Sequence, residues 1–480
     1  MPRFEKSSLR TIVALAFVLP SVAVRLSAQA ISLTPHQQLA RDVYKQLVET
    51  NTADSVGSVT KAAQGMADRF LAAGFAPADV SVLVPAGKPA KGNLVVRYRG
   101  KPGGAVKPIL LLAHLDVVAA NRSEWPRDPF TLYEENGFFL GRGTADDKAM
   151  ASIFVANLLR MKKEGFIPDR DILLALTADE EGGDANGMKW LVEEHRNLID
   201  VAYAINEGGG GTLDNGKPFL NTIQAAEKVS VNFTLTAANR GGHSSVPRAD
   251  NAIYSLAYAL TRVARHTFPV ALNDVTREFF AQTAKVAVGA DMAAAMRALA
   301  ANPADSDAAA LISRVPEFNS TLRTTCVATR LNGGHAYNAL PQTATANINC
   351  RIVPTSNAEE TVAALQRAIA DTSIRISLTV PSTEKFGVRP TAVEPALLRV
   401  TRELTKKMFG DVPVVPSMST GATDGRFLRA AGIPTYGVSG IFSALGETNA
   451  HGREEKLRVK SYYDGLEFLD RLVRRLTGGR

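Results

Sequence analysis

The chain has 480 residues, of which 45% are hydrophobic and 21% are charged, and its formal net charge is +8. This length exceeds what one hydrophobic core usually supports, so we expect an ordinary globular protein of two domains. The sequence contains no run of Lys and Arg of the kind that a nucleic-acid surface requires, so we expect no nucleic-acid partner.

The first thirty residues have the pattern of a secretory signal peptide. A basic start is followed by an apolar stretch from Thr11 to Val24 and by the small-x-small cleavage sequence AQA at residues 28–30. The apolar stretch is short for a bilayer span. We therefore expect residues 1–30 to be removed, and the mature protein to be periplasmic or secreted without a stable membrane span. An uncleaved N-terminal membrane anchor is the alternative.

Apolar strand-like runs alternate with amphipathic helical runs along most of the remaining chain. This alternation is the pattern of a layered α/β domain. The predicted strands cover residues 93–98, 109–113, 172–178, 201–206 and 435–438. The predicted helices cover residues 36–49, 59–73, 149–163, 188–194, 395–408 and 454–476.

The pattern of apolar and polar residues changes between residue 227 and about residue 354. Apolar and polar side chains alternate over residues 229–236, as in a sheet with one solvated face. A helix over residues 252–265, an Ala-rich helical region around residues 291–311 and two strand-like segments follow. We predict an α+β domain inserted at residues 227–356, which leaves residues 31–226 and 357–480 as the discontinuous first domain.

The two cysteines lie in the last two strand-like segments of this insertion. Cys326 stands in RTTCVATRL and Cys350 in TATANINCRI. If these segments form neighbouring antiparallel strands in an exported protein, the two thiols could pair. Two separate small core residues are an equally good interpretation.

Acid and imidazole side chains follow several of the strand-like runs. His114 ends the run ILLLAH, and Asp116 stands two residues later, where an extended backbone points both side chains the same way. Asp116 could then accept a hydrogen bond from the second ring nitrogen of His114. Asp146 and Asp147 precede a helix, where capping is the commoner role, although one can cap while the other binds metal. A buried His–Asp pair remains the ordinary alternative for His114.

Two further strands end in glutamates that precede glycines. Glu180 and Glu181 follow ILLALTAD, and their neighbouring side chains project differently, so one can bind metal while the other acts as a base. Glu207 follows VAYAIN and precedes four glycines, which let the backbone approach closely. His451 lies in a glycine-containing loop before the last helix. Paired glutamates are more often only a solvated turn.

Taken together, the strings AHLD, GRGTADDK, TADEEGG, INEGGG and NAHGREE resemble the di-zinc aminoacylase/carboxypeptidase metallopeptidases. That family includes acetylornithine deacetylase, succinyl-diaminopimelate desuccinylase and aminoacylase. GRGTADDK and INEGGG are most similar to its branch of Gly-X carboxypeptidases and secreted N-acyl-amino-acid hydrolases. The resemblance implies a zinc-peptidase-like α/β domain with a central mixed sheet flanked by helices, plus an inserted α+β lid or dimerisation domain.

The resemblance also implies the role of each candidate residue. Asp146 would bridge two Zn²⁺ ions, and Co²⁺ or Mn²⁺ are possible substitutes because His and carboxylate sites accept all three. Glu180 would be the general base, Asp116 the carboxylate behind the histidine, and His243 in NRGGHSSVP would stabilise the tetrahedral intermediate. The remaining metal ligands would be His114 and Glu207 at one ion and Glu181 and His451 at the other, and the substrate-binding residues would be Asn338, Arg351 and Arg426.

We therefore expect hydrolysis of an amide bond next to a free carboxylate, in a short peptide or an N-acyl amino acid, by a possible homodimer. A non-catalytic periplasmic binding protein that kept the fold is the alternative from another class. A serine esterase is a third interpretation, but no Gly-x-Ser-x-Gly sequence follows a strand, which counts against it.

Overall fold

The computed structural model describes residues 32–103, 106–287, 289–379 and 390–478. The signal peptide expected at residues 1–30 lies outside these residues, so its cleavage and the expected location stay predictions. Within the described ranges, no helix combines the length and the apolar composition that crossing a bilayer requires.

The strands of the described residues, numbered along the chain, include all five that were predicted for the first domain. They are β1 (Val80–Leu83), β2 (Asn93–Tyr98), β3 (Ile109–His114), β4 (Tyr133–Glu135), β5 (Phe138–Leu140), β6 (Ile172–Thr177), β7 (Tyr203–Asn206), β8 (Gly211–Asp214), β9 (Lys217–Glu227), β10 (Val229–Ala238), β11 (Gly242–His243), β12 (Thr325–Gly333), β13 (Ala339–Leu340), β14 (Thr343–Ile352), β15 (Ile374–Leu378), β16 (Val414–Ser419), β17 (Thr435–Gly437), β18 (Phe442–Ala444) and β19 (Lys456–Arg458).

The helices begin at conventional caps in several cases; Thr34 and Gln37, for example, form a reciprocal capping box at the first one. They are α1 (Pro35–Val48), α2 (Val59–Ala72), α3 (Lys148–Lys163), α4 (Gly187–Glu194), α5 (Ala252–Arg265), α6 (Asp274–Thr283), α7 (Ala290–Ala301), α8 (Ser306–Ile312), α9 (Pro316–Leu322), α10 (Ala358–Ile369), α11 (Pro395–Phe409), α12 (Gly425–Ala430) and α13 (Val459–Leu476).

The large sheet is mixed, as predicted, and helices cover both of its faces. Its strand order is β1-β2-β6-β3-β7-β17-β9-β8-β18, with β16 paired to β9. The central strands β6, β3 and β7 are parallel, and every residue of all three is buried. Strands buried on both faces read as continuous apolar runs, which is why the sequence predicted them well. One face packs on α1, α2, α3, α11 and α13, and the other on α4 and α12.

A second sheet is antiparallel and has its own core. Its order is β12-β14-β10-β15, and α5 and α10 cover its apolar face. Because β15 pairs with β10, this sheet includes residues up to Leu378, beyond the expected return to the first domain at residue 356. We propose that the inserted unit, called the lid below, starts at residue 228 and extends to about residue 379.

The Ala-rich segment does not pack on the sheet of the lid. Helices α6 to α9 share a separate apolar core, and α6 contacts β16 at the large sheet. Asn273, which caps α6, donates to Met418 Sδ on β16 at 3.5 Å. The helical region predicted at residues 291–311 is divided into α7 and α8 around Pro303, since proline has no N–H for a helical bond.

The two cysteines of the lid form a disulfide. Cys326 on β12 and Cys350 on β14 are direct partners across the antiparallel pair, with their Cα atoms 4.1 Å apart. Of the two interpretations that the sequence left open, the structure therefore contains the paired one.

Candidate metal centre

Three of the candidate ligands lie at the same edge of the large sheet because their strands are parallel. His114 is the last residue of β3, Glu181 follows β6 by four residues, and Glu207 comes directly after β7. Strand β3 lies between β6 and β7, so the three carboxyl ends are adjacent. This edge is where open α/β sheets bind their ligands.

Five side chains form two overlapping groups with metal-ligand spacing. His114, Asp146 and Glu207 form the first, and Asp146, Glu181 and His451 the second, with the ligand atoms of each group within 4.8 Å of one another. Asp146 belongs to both: its Oδ1 lies 3.0 Å from His114 Nε2, and its Oδ2 lies 3.2 Å from His451 Nε2. His451 Nε2 also lies 2.9 Å from Glu181 Oε2. One carboxylate therefore presents an oxygen to each group.

Asp116 supports the centre in two ways. The Nδ1 atom of His114 lies 3.0 Å from the backbone carbonyl oxygen of Asp116 and 3.5 Å from its Oδ1. The carboxylate also accepts the backbone N–H groups of Glu180 and Glu181, at 3.1 and 3.0 Å. The nearer contact of His114 is thus to the backbone of Asp116, whereas the prediction named its carboxylate, and that carboxylate holds the turn that carries both glutamates.

Asp147 does not act as a side-chain cap, although it occupies the N-cap position of α3. Its Oδ2 is buried without a hydrogen-bond partner. The peptide bond that joins it to Asp146 is cis. Burial raises the pKa of Asp147 well above its usual range.

The cluster of acidic side chains makes the centre suitable for binding cations. Burial raises the pKa of Glu207 well above its usual range and that of Glu180 to about 8, with the neighbouring carboxylates Asp424 and Glu181 adding to the shift of Glu180. Imidazole and carboxylate are zinc ligands, and three protein donors per ion leave a position for water or substrate. The donor set therefore suits two divalent ions in a catalytic arrangement.

Glu180 lies beside the two groups without belonging to either. Its Oε1 is buried without a hydrogen-bond partner and lies 3.8 Å from Arg426 Nη1. Its carboxylate is thus close to the cluster and to a candidate substrate-binding arginine, as a general base requires.

The start of α12, which carries Arg426, is held from two sides by residues that the sequence did not single out. Glu227, the last residue of β9, accepts from the backbone N–H of Thr423 at 2.7 Å and pairs with Arg429. Asp424 accepts from Asn186 Nδ2 and Thr177 Oγ1, each at 2.7 Å. The string GATDGRF contains Asp424, but its partners are more than two hundred residues away and cannot be found from local sequence.

Close backbone packing explains the glycines after Glu207. A Cβ atom on Gly209 would lie 2.0 Å from the carbonyl oxygen of Gly437, and a Cβ atom on Gly437 would lie 2.2 Å from that of Glu207. Only glycine allows this approach. The Glu207 turn is thereby fixed against the end of β17.

Three candidate residues lie in the lid and belong to neither group. His243 on β11 is exposed, and its Nδ1 lies 2.7 Å from Ser245 Oγ. The carbonyl of the exposed Asn338 accepts from the N–H of Ser244 at 3.0 Å. Arg351 is on β14, opposite Ser230 of β10. Their predicted catalytic and binding roles stay predictions.

Similarity to known proteins extends over most of the chain. The model of peptidase family M20/M25/M40 matches residues 110–475. The human N-fatty-acyl-amino acid synthase/hydrolase PM20D1 is 27% identical over 378 residues, covering 77% of this chain and 74% of the relative. Rat aminoacylase-1B is 25% identical over 378 residues, covering 77% and 80%. An M20 family metallo-carboxypeptidase from Sulfolobus solfataricus has a TM-score of 0.66 at 18% identity, covering 91% and 98%.

Proposed function

The chain belongs to peptidase family M20/M25/M40 and is a metal-dependent hydrolase of the metallopeptidase and aminoacylase type, and we propose that it cleaves an amide bond next to a free carboxylate. The substrate would be a short peptide or an N-acyl amino acid. The observation that carries the proposal is the shared Asp146 carboxylate, which presents one oxygen to each histidine.

We propose that the two groups hold two Zn²⁺ ions, one at His114 and Glu207 and one at Glu181 and His451, with Asp146 between them. Co²⁺ and Mn²⁺ are substitutes that the same donors accept. When bound, such ions acidify water and polarise a carbonyl group. The protein's own contribution is a buried site with fixed donors and a base beside them.

Glu180 is proposed as the residue that takes a proton from the attacking water and returns it to the leaving nitrogen. A buried carboxylate beside the proposed metal ligands can accept a proton in the first step and return it in the second. Burial beside Arg426 keeps this carboxylate close to the substrate and out of bulk water.

Arg426 is the proposed partner of the substrate carboxylate. Its planar guanidinium can bind a carboxylate through two parallel hydrogen bonds. One relative is named an N-fatty-acyl-amino acid synthase/hydrolase and the other an aminoacylase, and the structural neighbour is named a metallo-carboxypeptidase. An amide next to a free carboxylate is the chemistry that such substrates have in common.

We further propose that a second copy of the chain completes the site. Strand β12 is an edge strand of the lid sheet, and its residues from Val327 to Gly333 are exposed, including the apolar Val327 and Leu331. An exposed apolar edge strand is a template for pairing with another copy. His243, Asn338 and Arg351 would then reach the substrate from the lid, and His243 would donate to the developing oxyanion.

The test is Glu180→Gln in the metal-loaded protein, with dipeptides and N-acyl amino acids as substrates. We expect turnover to fall by roughly 10²–10⁴-fold, the usual contribution of a general base, while the bound metal stays unchanged. Glu193→Gln on the exposed face of α4 is the control and should keep full activity. Near-normal turnover in Glu180→Gln would refute the mechanism, and wild-type protein that binds metal but hydrolyses neither substrate class would favour a binding protein.

A further inference from the structure

We propose that a buried ion pair, Arg142 with Glu455, positions the second metal group and determines whether its ion is retained. The inference rests on the proposed two-metal function. The pair joins the loop of Asp146 to the loop of His451, although the two partners are 313 residues apart in the chain. Both side chains are almost fully buried, and Arg142 Nη1 lies 2.8 Å from Glu455 Oε2.

Glu455 holds the backbone of the shared ligand. Its Oε1 accepts the N–H groups of Ala145 and Asp146 at 2.7 and 3.0 Å, and its Oε2 accepts that of Gly143 at 3.0 Å. With the bond from Arg142, four donors converge on this one carboxylate. Four converging donors fix the backbone that aims Asp146 between the two groups.

Arg142, the other partner of the ion pair, holds the loop that carries His451. Its Nη2 donates to the backbone carbonyl oxygens of His451 and Gly452, at 3.3 and 3.0 Å. The guanidinium also lies over the ring of the buried Trp125, 5.2 Å from its centroid. The aromatic face and the fixed hydrogen-bonding fork restrict the orientation of Arg142, so the carbonyl of His451 has a rigid partner.

The His451 loop needs such a partner because its backbone is unusual. His451, Asn449 and Glu454 all have positive φ angles, of 63°, 50° and 52°. Non-glycine residues in this region cost roughly 1 kcal/mol or more each and persist only where surrounding contacts fix them. The side chain of His451 is also 56% exposed, the highest exposure among the five candidate ligands.

The first group depends on the ion pair only through Asp146, which both groups share. His114 ends a strand that is paired on both sides, and Glu207 directly follows β7, where close-packed glycines fix the turn. Glu181 of the second group is held by Asp116. Loss of the pair should therefore displace His451 and tilt Asp146, with the second ion lost first.

An ordinary buried ion pair that only stabilises the fold would give a different result. Breaking it would lower the melting temperature without changing how many ions the folded protein binds. Asp470 in α13 provides a matched comparison, since it is also buried and is paired with Arg474 at 3.0 Å.

The experiment measures zinc stoichiometry and affinity in full-length wild type, Glu455→Gln, Arg142→Lys and Asp470→Asn. Apoprotein is titrated with Zn²⁺ by calorimetry, bound zinc is counted by mass spectrometry after dialysis, and circular dichroism identifies folded samples. We expect wild type and Asp470→Asn to bind two ions. In Glu455→Gln the affinity for the second ion should fall at least tenfold more than the affinity for the first ion. Arg142→Lys should behave similarly, because lysine keeps the charge but cannot bridge both loops.

The outcomes separate the two proposals. Wild type that binds fewer than two ions overturns the proposed function itself. Wild type with two ions, together with folded variants that bind two ions at wild-type affinity, overturns the positioning role, and so does an equal loss of both ions. If Glu455→Gln does not fold, Arg142→Lys alone decides between these results.

Discussion

Removal of the lid disulfide should destabilise the lid by an amount that depends on the number of residues between the two cysteines. Cys326 and Cys350 are separated by 24 residues, and a cross-link of that span removes loop-closure entropy worth about 3.5 kcal/mol from the unfolded chain at 25 °C. The double variant Cys326→Ala/Cys350→Ala loses this contribution. Alanine fits the site because Cys350 is fully buried and alanine adds no polar group.

The assay must report on the lid alone. Both tryptophans of the chain, Trp125 and Trp190, lie outside it, so their fluorescence follows the other part of the protein. Hydrogen exchange of the β14 amides is the suitable measurement, and a loss of about 3.5 kcal/mol corresponds to roughly 300-fold faster exchange. Adding reductant should accelerate exchange in wild type to the rate of the variant and leave the variant unchanged. Exchange in the variant within about twofold of oxidised wild type would refute the reasoning.

Three further predictions test individual side chains. Burial, reinforced by Arg351, lowers the pKa of Lys228 from 10.5 to about 7. The folded state therefore loses this proton at a lower pH than the unfolded chain, and the free energy of unfolding rises by on the order of a few kcal/mol between pH 7 and 10. Lys228→Met should therefore raise the free energy of unfolding at pH 7, with a smaller gain at pH 10; urea titrations showing an equal gain at both pH values would contradict this. Asp116→Asn should weaken metal binding or activity by roughly 10–100-fold, and a calorimetric titration matching wild type would exclude that role. Arg426→Lys should raise KM by roughly 10–100-fold through loss of the bidentate grip; steady-state kinetics with an unchanged KM would show that Arg426 does not hold the carboxylate.

The sequence predicted the elements whose burial is continuous or regularly periodic. Strand β2 and helix α5 have the predicted bounds, and β3 and β6 differ by one residue at their ends. The last helix begins five residues later than predicted, because residues 456–458 pair with β5 as strand β19. Tertiary pairing overrode the local helical pattern there.

The sequence predicted the position of a ligand best where that ligand ends or directly follows a buried strand. His114 and Glu207 stand at the ends of buried apolar runs, so their local context predicted their place at the sheet edge. Arg142 stands inside GRGTADDK and Glu455 inside NAHGREE, but the role of each depends on the ion pair with the other, 313 residues away. A single sequence without covariation contains no signal for that pairing.

The spread of the two groups along the chain has a consequence for biosynthesis. His114 and Glu207 leave the ribosome well before His451 and Glu455, which directly precede the helix α13 that packs against α3 and α11. The second group therefore stays incomplete until the segment before α13 has been synthesised. A nascent chain that ends before residue 451 can thus hold at most one of the two groups.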